Sequence, residues 1–258
     1  MKKVVVVATH KYNSVVERKF RKIQKELNKN DYDFFLLYHT EGKDSERFIS
    51  EDIPVFKFRM ADLNALSYHP IADTLIPGST HFPLLYFFNI NKDYEYFWYI
   101  EYDVEFKGLW KTLINDCDNN LLTYDFLSCH IEKFSRSNSS WPWWFTGNDM
   151  RVPFAKCIKS FNPICRYSNQ ALTCLDDYLR QGYYAHSEVL IATCLYYHGM
   201  KIGDIGGQGE FVPEGWENRY YLAAEGINNG TMRYRPVYTR EEIAITGRMN
   251  MLFHPLKE

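Results

Sequence analysis

Tyr96-Phe97-Trp98-Tyr99-Ile100-Glu101-Tyr102-Asp103-Val104-Glu105 is the stretch on which the reading of this chain turns. Five aromatic or β-branched residues in succession fit a short strand covered on both faces, as in the middle of an α/β sheet. The run passes directly into acids. Strand side chains alternate, so Glu101, Asp103 and Glu105 would share one side if the strand continued. Three like charges at the tip of a buried strand repel each other, and a hard divalent cation with oxygen ligands would hold them. The bland alternative is a strand that emerges into solvent with hydrated acids. Open α/β sheets bind ligands beyond the carboxyl ends of their strands, where these acids lie. A cation there would carry a diphosphate and stabilise its departure.

The flanking sequence supports such a sheet. Val4 to Ala8 is a second continuous apolar run. From Ser14 to about Asn28, Val15, Val16, Phe20, Ile23 and Leu27 recur among charged residues at helical spacing. Ser14 is the expected N-cap, with Glu17 completing a capping box. Strands are expected at Phe34 to Tyr38 and Val55 to Phe58, and this alternation of strand and helix implies parallel pairing. Pro77-Gly78-Ser79-Thr80 reads as a turn into a helix over His81 to Asn89, capped by Ser79 or Thr80. Further helices are expected near Leu109 to Ile114, Arg166 to Leu179 and Ser187 to Tyr197, with a strand over Phe126 to Ile131. From Gly203 onward the chain reads as loops with short strands.

Composition removes several function classes. The net charge is −2, and the basic residues are scattered, so nucleic-acid binding has little support. No stretch is long and apolar enough for a membrane span, though peripheral association remains open. The six cysteines, at 117, 129, 157, 165, 174 and 194, form no C-x-x-C pair, and no His lies at finger spacing, so a structural zinc site is not expected. Reduced thiols in a cytoplasmic protein are the better reading. There is no G-x-G-x-x-G after the first strand, no P-loop and no Gly-x-Ser-x-Gly elbow, which disfavours NAD, P-loop and α/β-hydrolase chemistry. Aromatic residues make up 17% of the chain, and exposed rings among them would stack on sugars or bases.

Phe97-Trp98-Tyr99-Ile100-Glu101-Tyr102-Asp103 resembles the D-x-D strand of GT-A glycosyltransferases, with Glu in place of the first Asp. The wider string from Pro77-Gly78-Ser79-Thr80-His81-Phe82-Pro83-Leu84-Leu85 to Gly108-Leu109-Trp110 is similar to a little-characterised family of bacterial and fungal GT-A-like proteins. The resemblance implies one Rossmann-like GT-A domain over 1–258, with a mostly parallel sheet flanked by helices. Residues 1–110 would form the nucleotide-sugar half and 111–258 the acceptor half. It implies Mn²⁺ or Mg²⁺ on Asp103, with Glu101 at the ribose or reaching the ion through water. Many GT-A enzymes return a C-terminal His to the metal, and His254 in Phe253-His254-Pro255 stands in the corresponding place; a packing role is the alternative.

The same resemblance places the donor against Thr9, His10, Ser79, His81, Glu101, Tyr102 and His186. Glu188 opens an apolar helix, where the helix dipole favours the ionised form a general base needs, or where it serves only as an ordinary first-turn acid. Asp149, after Gly147-Asn148, is the second-choice base. Trp141-Pro142-Trp143-Trp144 is either an acceptor wall or a plug over the sheet, and Arg166 either holds an anion or pairs with a nearby acid. Together these imply transfer from a nucleoside-diphosphate sugar, a UDP-sugar by preference, to a glycan or lipid-linked acceptor hydroxyl, with inversion if Glu188 is the base. Two rivals stand beside it. A sugar nucleotidyltransferase would release pyrophosphate, and a glycan-binding protein on the same fold would need neither metal nor nucleotide.

Overall fold

The computed structural model describes residues 2–41, 49–146, 149–224 and 229–256. Gly147 and Asn148, which precede Asp149, lie outside the described residues. In chain order the elements are β1 (Lys3–Thr9), α1 (Ser14–Glu26), β2 (Tyr32–His39), β3 (Val55–Phe58), α2 (Met60–Asn64), α3 (Phe82–Ile90), β4 (Tyr96–Glu101) and β5 (Glu105–Lys107). There follow α4 (Trp110–Asn120), β6 (Phe126–Lys133), β7 (Ile158–Ser168), α5 (Asn169–Arg180), α6 (Ser187–Tyr197), β8 (Ile202–Asp204), α7 (Arg240–Ile245) and β9 (Met251–Phe253).

Seven strands form one sheet in the order β3-β2-β1-β4-β7-β6-β8. β1 pairs in parallel with both β2 and β4, so Val5 lies between Phe34 and Trp98. Val4 to Val7 and Phe97 to Ile100 are buried, as continuous apolar strands require. β7 alone runs antiparallel, to β4 on one side and β6 on the other. Adjacent residues of β4 face opposite layers. Phe97 packs edge-on against Phe87 and Phe88 of α3, while the Trp98 indole donates to Asp118 of α4 at 3.2 Å. Helices therefore cover both faces of a mostly parallel sheet, the architecture read from the sequence.

Four local expectations are corrected. The α1 N-cap is Asn13, whose side-chain oxygen accepts from the Val15 and Val16 N–H groups at 3.1 and 3.0 Å. Glu17 instead accepts from the Tyr12 hydroxyl and the Arg21 guanidinium. Helix α3 starts at Phe82 with His81 at the N-cap position and no side-chain cap; the Ser79 carbonyl accepts from the Phe82 N–H. Residues 158–168 are strand, and the helix begins only after Ser168, whose hydroxyl accepts from the Ala171 N–H. Pro163 and buried Lys159, Ser160, Asn162 and Arg166 disguise β7, because they interrupt the apolar pattern of a central strand. Pro163 is tolerated beyond the last β4–β7 pair, Ile100 with Ile164, and inside the irregular stretch of β6–β7 pairing.

The fourth correction concerns the acids. The strand ends at Glu101, and Glu105 begins β5, which pairs antiparallel with β9. Buried Lys19 of α1 donates to the carbonyls of Tyr102 (2.6 Å) and Val104 and lies 3.7 Å from the Glu105 carboxylate. Glu105 is drawn to this ammonium and leaves Glu101 and Asp103 as the pair at the strand tip.

Arg166 is fully buried on β7 and pairs with Asp118 at 2.9 Å. It also donates to the carbonyls of Cys117, Leu121 and Tyr124. Asp118 further accepts from Tyr32 and Trp98 and lies 3.0 Å from Lys3. This network explains how the core tolerates the Arg166–Asp118 pair, and it commits both terminal nitrogens of Arg166 to structural partners rather than to an anion.

Candidate active site

Glu101, Asp103 and His254 converge at the carboxyl end of β4, with one ligand atom from each inside a 4.8 Å span. His254 Nε2 lies 3.5 Å from Asp103 Oδ1 and 4.0 Å from Glu101 Oε2. The pairing of β5 with β9 brings distant segments together: Glu105 opposes Phe253, and the Leu256 N–H donates to the Asp103 carbonyl at 2.8 Å. His254 Nδ1 is 2.8 Å from the Arg233 carbonyl. That oxygen can only accept, so Nδ1 carries a proton, and in the neutral ring Nε2 is the bare nitrogen facing the carboxylates. This is the tautomer a metal-ligating imidazole needs, with the second partner that such ligands use. Two carboxylates and an imidazole suit Mn²⁺ or Mg²⁺ chemically, and Asp103 is buried as such a ligand would be.

Glu188 sits in the first turn of α6, close enough to Glu101 for that charge to act on it. Burial pushes its carboxyl well above the ordinary carboxylate range, Glu101 pushes it further, and Lys159 opposes both. Glu188 Oε2 is buried without a hydrogen-bond partner among the described residues. Desolvation thus outweighs the helix dipole that was expected to favour the ionised form, and it shifts this carboxyl towards its protonated state. Cys165 of β7 lies within the influence of both Glu101 and Glu188, and burial raises its thiol to about 12.

The turn before α3 docks onto the start of α6. The Ser187 N–H donates to the Gly78 carbonyl at 2.9 Å, and the Thr80 and Ser187 hydroxyls are 3.3 Å apart. Gly78 has φ of +92°, a conformation that favours glycine, and an added Cβ would also crowd Ile71 Cδ1 at 2.6 Å and His186 Cδ2 at 3.1 Å. His186 Nδ1 accepts from the Glu188 N–H at 3.3 Å, and its ring stacks on Trp143 with centroids 4.5 Å apart. Burial lowers His186 to about 4 and His81 to about 3, with His186 adding to the effect on His81. Both imidazoles are neutral near pH 7. Neither ring nitrogen of buried His81 has a partner among the described residues.

Other expected donor residues divide. Tyr102 lies beside the cluster, with the His10 ring edge-on at 5.1 Å and the Lys11 ammonium 4.8 Å over its face. The Thr9 hydroxyl is committed to its own turn, donating to the Lys11 carbonyl and accepting from the Lys11 N–H. Ser79 is buried under the turn. Asp149 is exposed, its N–H bound to the Tyr184 carbonyl at 2.8 Å, and it joins neither the acid cluster nor the cavity described next.

A cavity of about 700 Å³ lies alongside His254, walled by Lys159, Trp141, Phe161, Arg233 and Tyr234 among others. Phe161 meets the His254 ring edge-on at 5.1 Å, and the Arg233 carbonyl is the one that holds His254, so cavity and acid cluster share a wall. The three indoles differ. Trp141 is buried but lines the cavity under the Lys159 ammonium, 4.5 Å from its ring. Trp143 packs between His186 and cavity residue Tyr234. Trp144 is core: it is fully buried, donates to the Asn138 carbonyl and packs on Phe134, which corrects its assignment to an acceptor surface. Lys159 and Arg233 are wall residues that sequence reading missed, because neither stands in a motif and both depend on the hidden strand β7 and the loop before β9.

No family model matches the chain, and no curated protein matches its sequence. Among solved structures it is similar to the galactosyltransferase LgtC, determined in complex with donor and acceptor sugar analogs. The two share 10% identity over 95% of this chain and 78% of that one, with a TM-score of 0.48. Among the described residues no helix is long and apolar enough to cross a membrane.

Proposed function

We propose that this chain is a metal-dependent glycosyltransferase, moving a sugar from a nucleoside-diphosphate donor to a hydroxyl of a glycan or lipid-linked acceptor. The observation that carries the reading is the convergence of Glu101, Asp103 and a correctly tautomerised His254 beside a buried carboxyl group, Glu188. When bound there, Mn²⁺ or Mg²⁺ would neutralise the diphosphate and stabilise it as a leaving group.

The chain's own residues divide the remaining work. Asp103 and His254 are the ligands, and Glu101, at the very end of β4, is the ligand or ribose contact nearer to Glu188. Tyr102, His10 and neutral His81 and His186 border the donor. Glu188 takes the acceptor proton. Burial raises its carboxyl first and the Glu101 charge second, so neutralising Glu101 removes the smaller of the two and brings the group closer to a base. Trp141, Trp143 and Tyr234 offer ring faces and edges to the acceptor on the cavity side. In-line attack with Glu188 as base gives inversion.

The test is incubation with UDP-, GDP-, dTDP- and CMP-sugars plus a glycan acceptor panel, with and without Mn²⁺, followed by product analysis. The expected result is metal-dependent release of one nucleoside diphosphate with a sugar product of inverted anomeric configuration. Pyrophosphate release from a nucleoside triphosphate would point to a nucleotidyltransferase, and a retained anomer would remove Glu188 from the role of base.

A further inference from the structure

Cys174, Cys194 and His198 form a second convergence of ligating atoms, on the α5–α6 pair and made of residues that belong neither to the acid cluster nor to the cavity. One ligand atom from each lies within 4.8 Å of the others. Cys174 belongs to α5, Cys194 to α6, and His198 is the residue that ends α6 one turn after Cys194. All six cysteines of the chain are free thiols. Cys194 and His198 stand four apart on α6, and only the packing of α5 on α6 brings Cys174 to them.

We propose that Cys174, Cys194 and His198 bind one borderline-soft divalent cation of the zinc class, tying α5 to α6. The separation fits the chemistry. Metal–sulfur bonds of about 2.3 Å and metal–nitrogen bonds of about 2.0–2.1 Å at a tetrahedral angle place sulfur and nitrogen about 3.6 Å apart. Cys194 Sγ and His198 Nδ1 are 3.7 Å apart. The Tyr178 ring edge packs on the His198 ring at 5.5 Å, and the Tyr178 hydroxyl is fixed on the Met150 carbonyl, so the imidazole is positioned from the side. Cys194 is buried, Cys174 is half-buried and His198 is exposed, which leaves a solvent-facing fourth position for water.

Binding balances as follows. Both thiols release their protons to solvent and ligate as thiolates, so two negative charges meet two positive ones. His198 Nδ1 now carries the proton shared with the Cys194 carbonyl at 2.7 Å. Ligation through Nδ1 moves the ring proton to Nε2 and releases that carbonyl. Each thiol must lose its proton to ligate. Affinity therefore rises with pH.

The experiment is Co²⁺ titration of reduced, metal-free full-length protein, read by the near-ultraviolet thiolate-to-cobalt charge-transfer absorption. Zn²⁺ displacement and protection of the two thiols from alkylation are followed in parallel. One equivalent should develop the band, and Zn²⁺ should abolish it and raise the melting temperature. Cys174→Ser should remove the band, and His198→Asn should weaken binding by at least about tenfold. Asp103→Asn should leave the band intact, which separates this site from the acid cluster. No thiolate band at excess Co²⁺, with both thiols still freely alkylated, would overturn the proposal. So would a band unchanged in Cys174→Ser, or the discovery that Cys174 and Cys194 join as a disulfide and bind no metal when reduced.

Discussion

His254 Nε2 lies 3.5 Å from Asp103 Oδ1 although more than half of the chain separates the two residues. The contact depends on two pairings of the backbone, Glu105 with Phe253 and the Leu256 N–H with the Asp103 carbonyl. A short two-stranded sheet thus assembles a site whose acids stand at the tip of β4 and in the turn after it, and whose imidazole belongs to the loop-rich end.

His254→Ala removes one of the two proposed metal ligands, Asp103 and His254, while leaving the β5–β9 pairing in place. Mn²⁺ affinity should fall by at least about tenfold, since even outer-shell partners contribute that much. Calorimetric titration of wild type and variant checks it, with circular dichroism confirming the fold.

Glu188→Gln should separate stability from activity. Folding raises the Glu188 pKa, so between about pH 4.3, its unfolded value, and the folded value the native state binds more protons than the unfolded state. Stability contributed by this group therefore falls as pH rises through that window. Gln cannot ionise, so the variant should melt higher than wild type near pH 8 and differ little near pH 4, while kcat drops about 10²–10⁴-fold. A variant that melts no higher near pH 8 would show that Glu188 is well solvated.

Arg166→Met should cost about 3–5 kcal/mol in denaturant unfolding, because Asp118 is left as a buried charge. Lys3 remains 3.0 Å from Asp118, which favours the lower end. Nucleotide affinity of the folded fraction should be unchanged, since Arg166 lies in the core network under the sheet.

The two neighbouring tryptophans should respond differently. Trp144→Ala empties a fully buried site and should cost about 3–5 kcal/mol of stability. Trp143→Ala loses chiefly its stacking on His186, about 1 kcal/mol, and should raise the acceptor KM instead. Unfolding curves and acceptor saturation kinetics on both variants check the split.

These contrasts show what was legible in the sequence. β1, β4 and α6 were readable because continuous apolar runs have few other uses, and Glu101-Tyr102-Asp103 followed from the abrupt end of such a run. The side of Glu105 was misjudged because Lys19, on another element, redirects it. β7 was hidden by Pro163 and by polar side chains that tertiary partners satisfy, and with it Lys159 and the cavity wall. Trp144 looked functional, and Arg166 stayed between an anion site and the ion pair that it forms with Asp118, because a buried indole and a buried charge resemble exposed ones until their partners are known. The protonation of Glu188 depends on a desolvation that helix position alone does not reveal.

The most direct test of the central claim is a thermal-shift panel of UDP, GDP, dTDP and CMP and their sugars, each with and without Mn²⁺, on wild type and Asp103→Asn. A ligand confined to the native state adds about 2.7 kcal/mol at a hundredfold excess over its dissociation constant. The account predicts a rise in melting temperature for one nucleoside diphosphate that requires Mn²⁺ and disappears in Asp103→Asn. A rise with oligosaccharides alone, or one with nucleotide that needs neither metal nor Asp103, would contradict it.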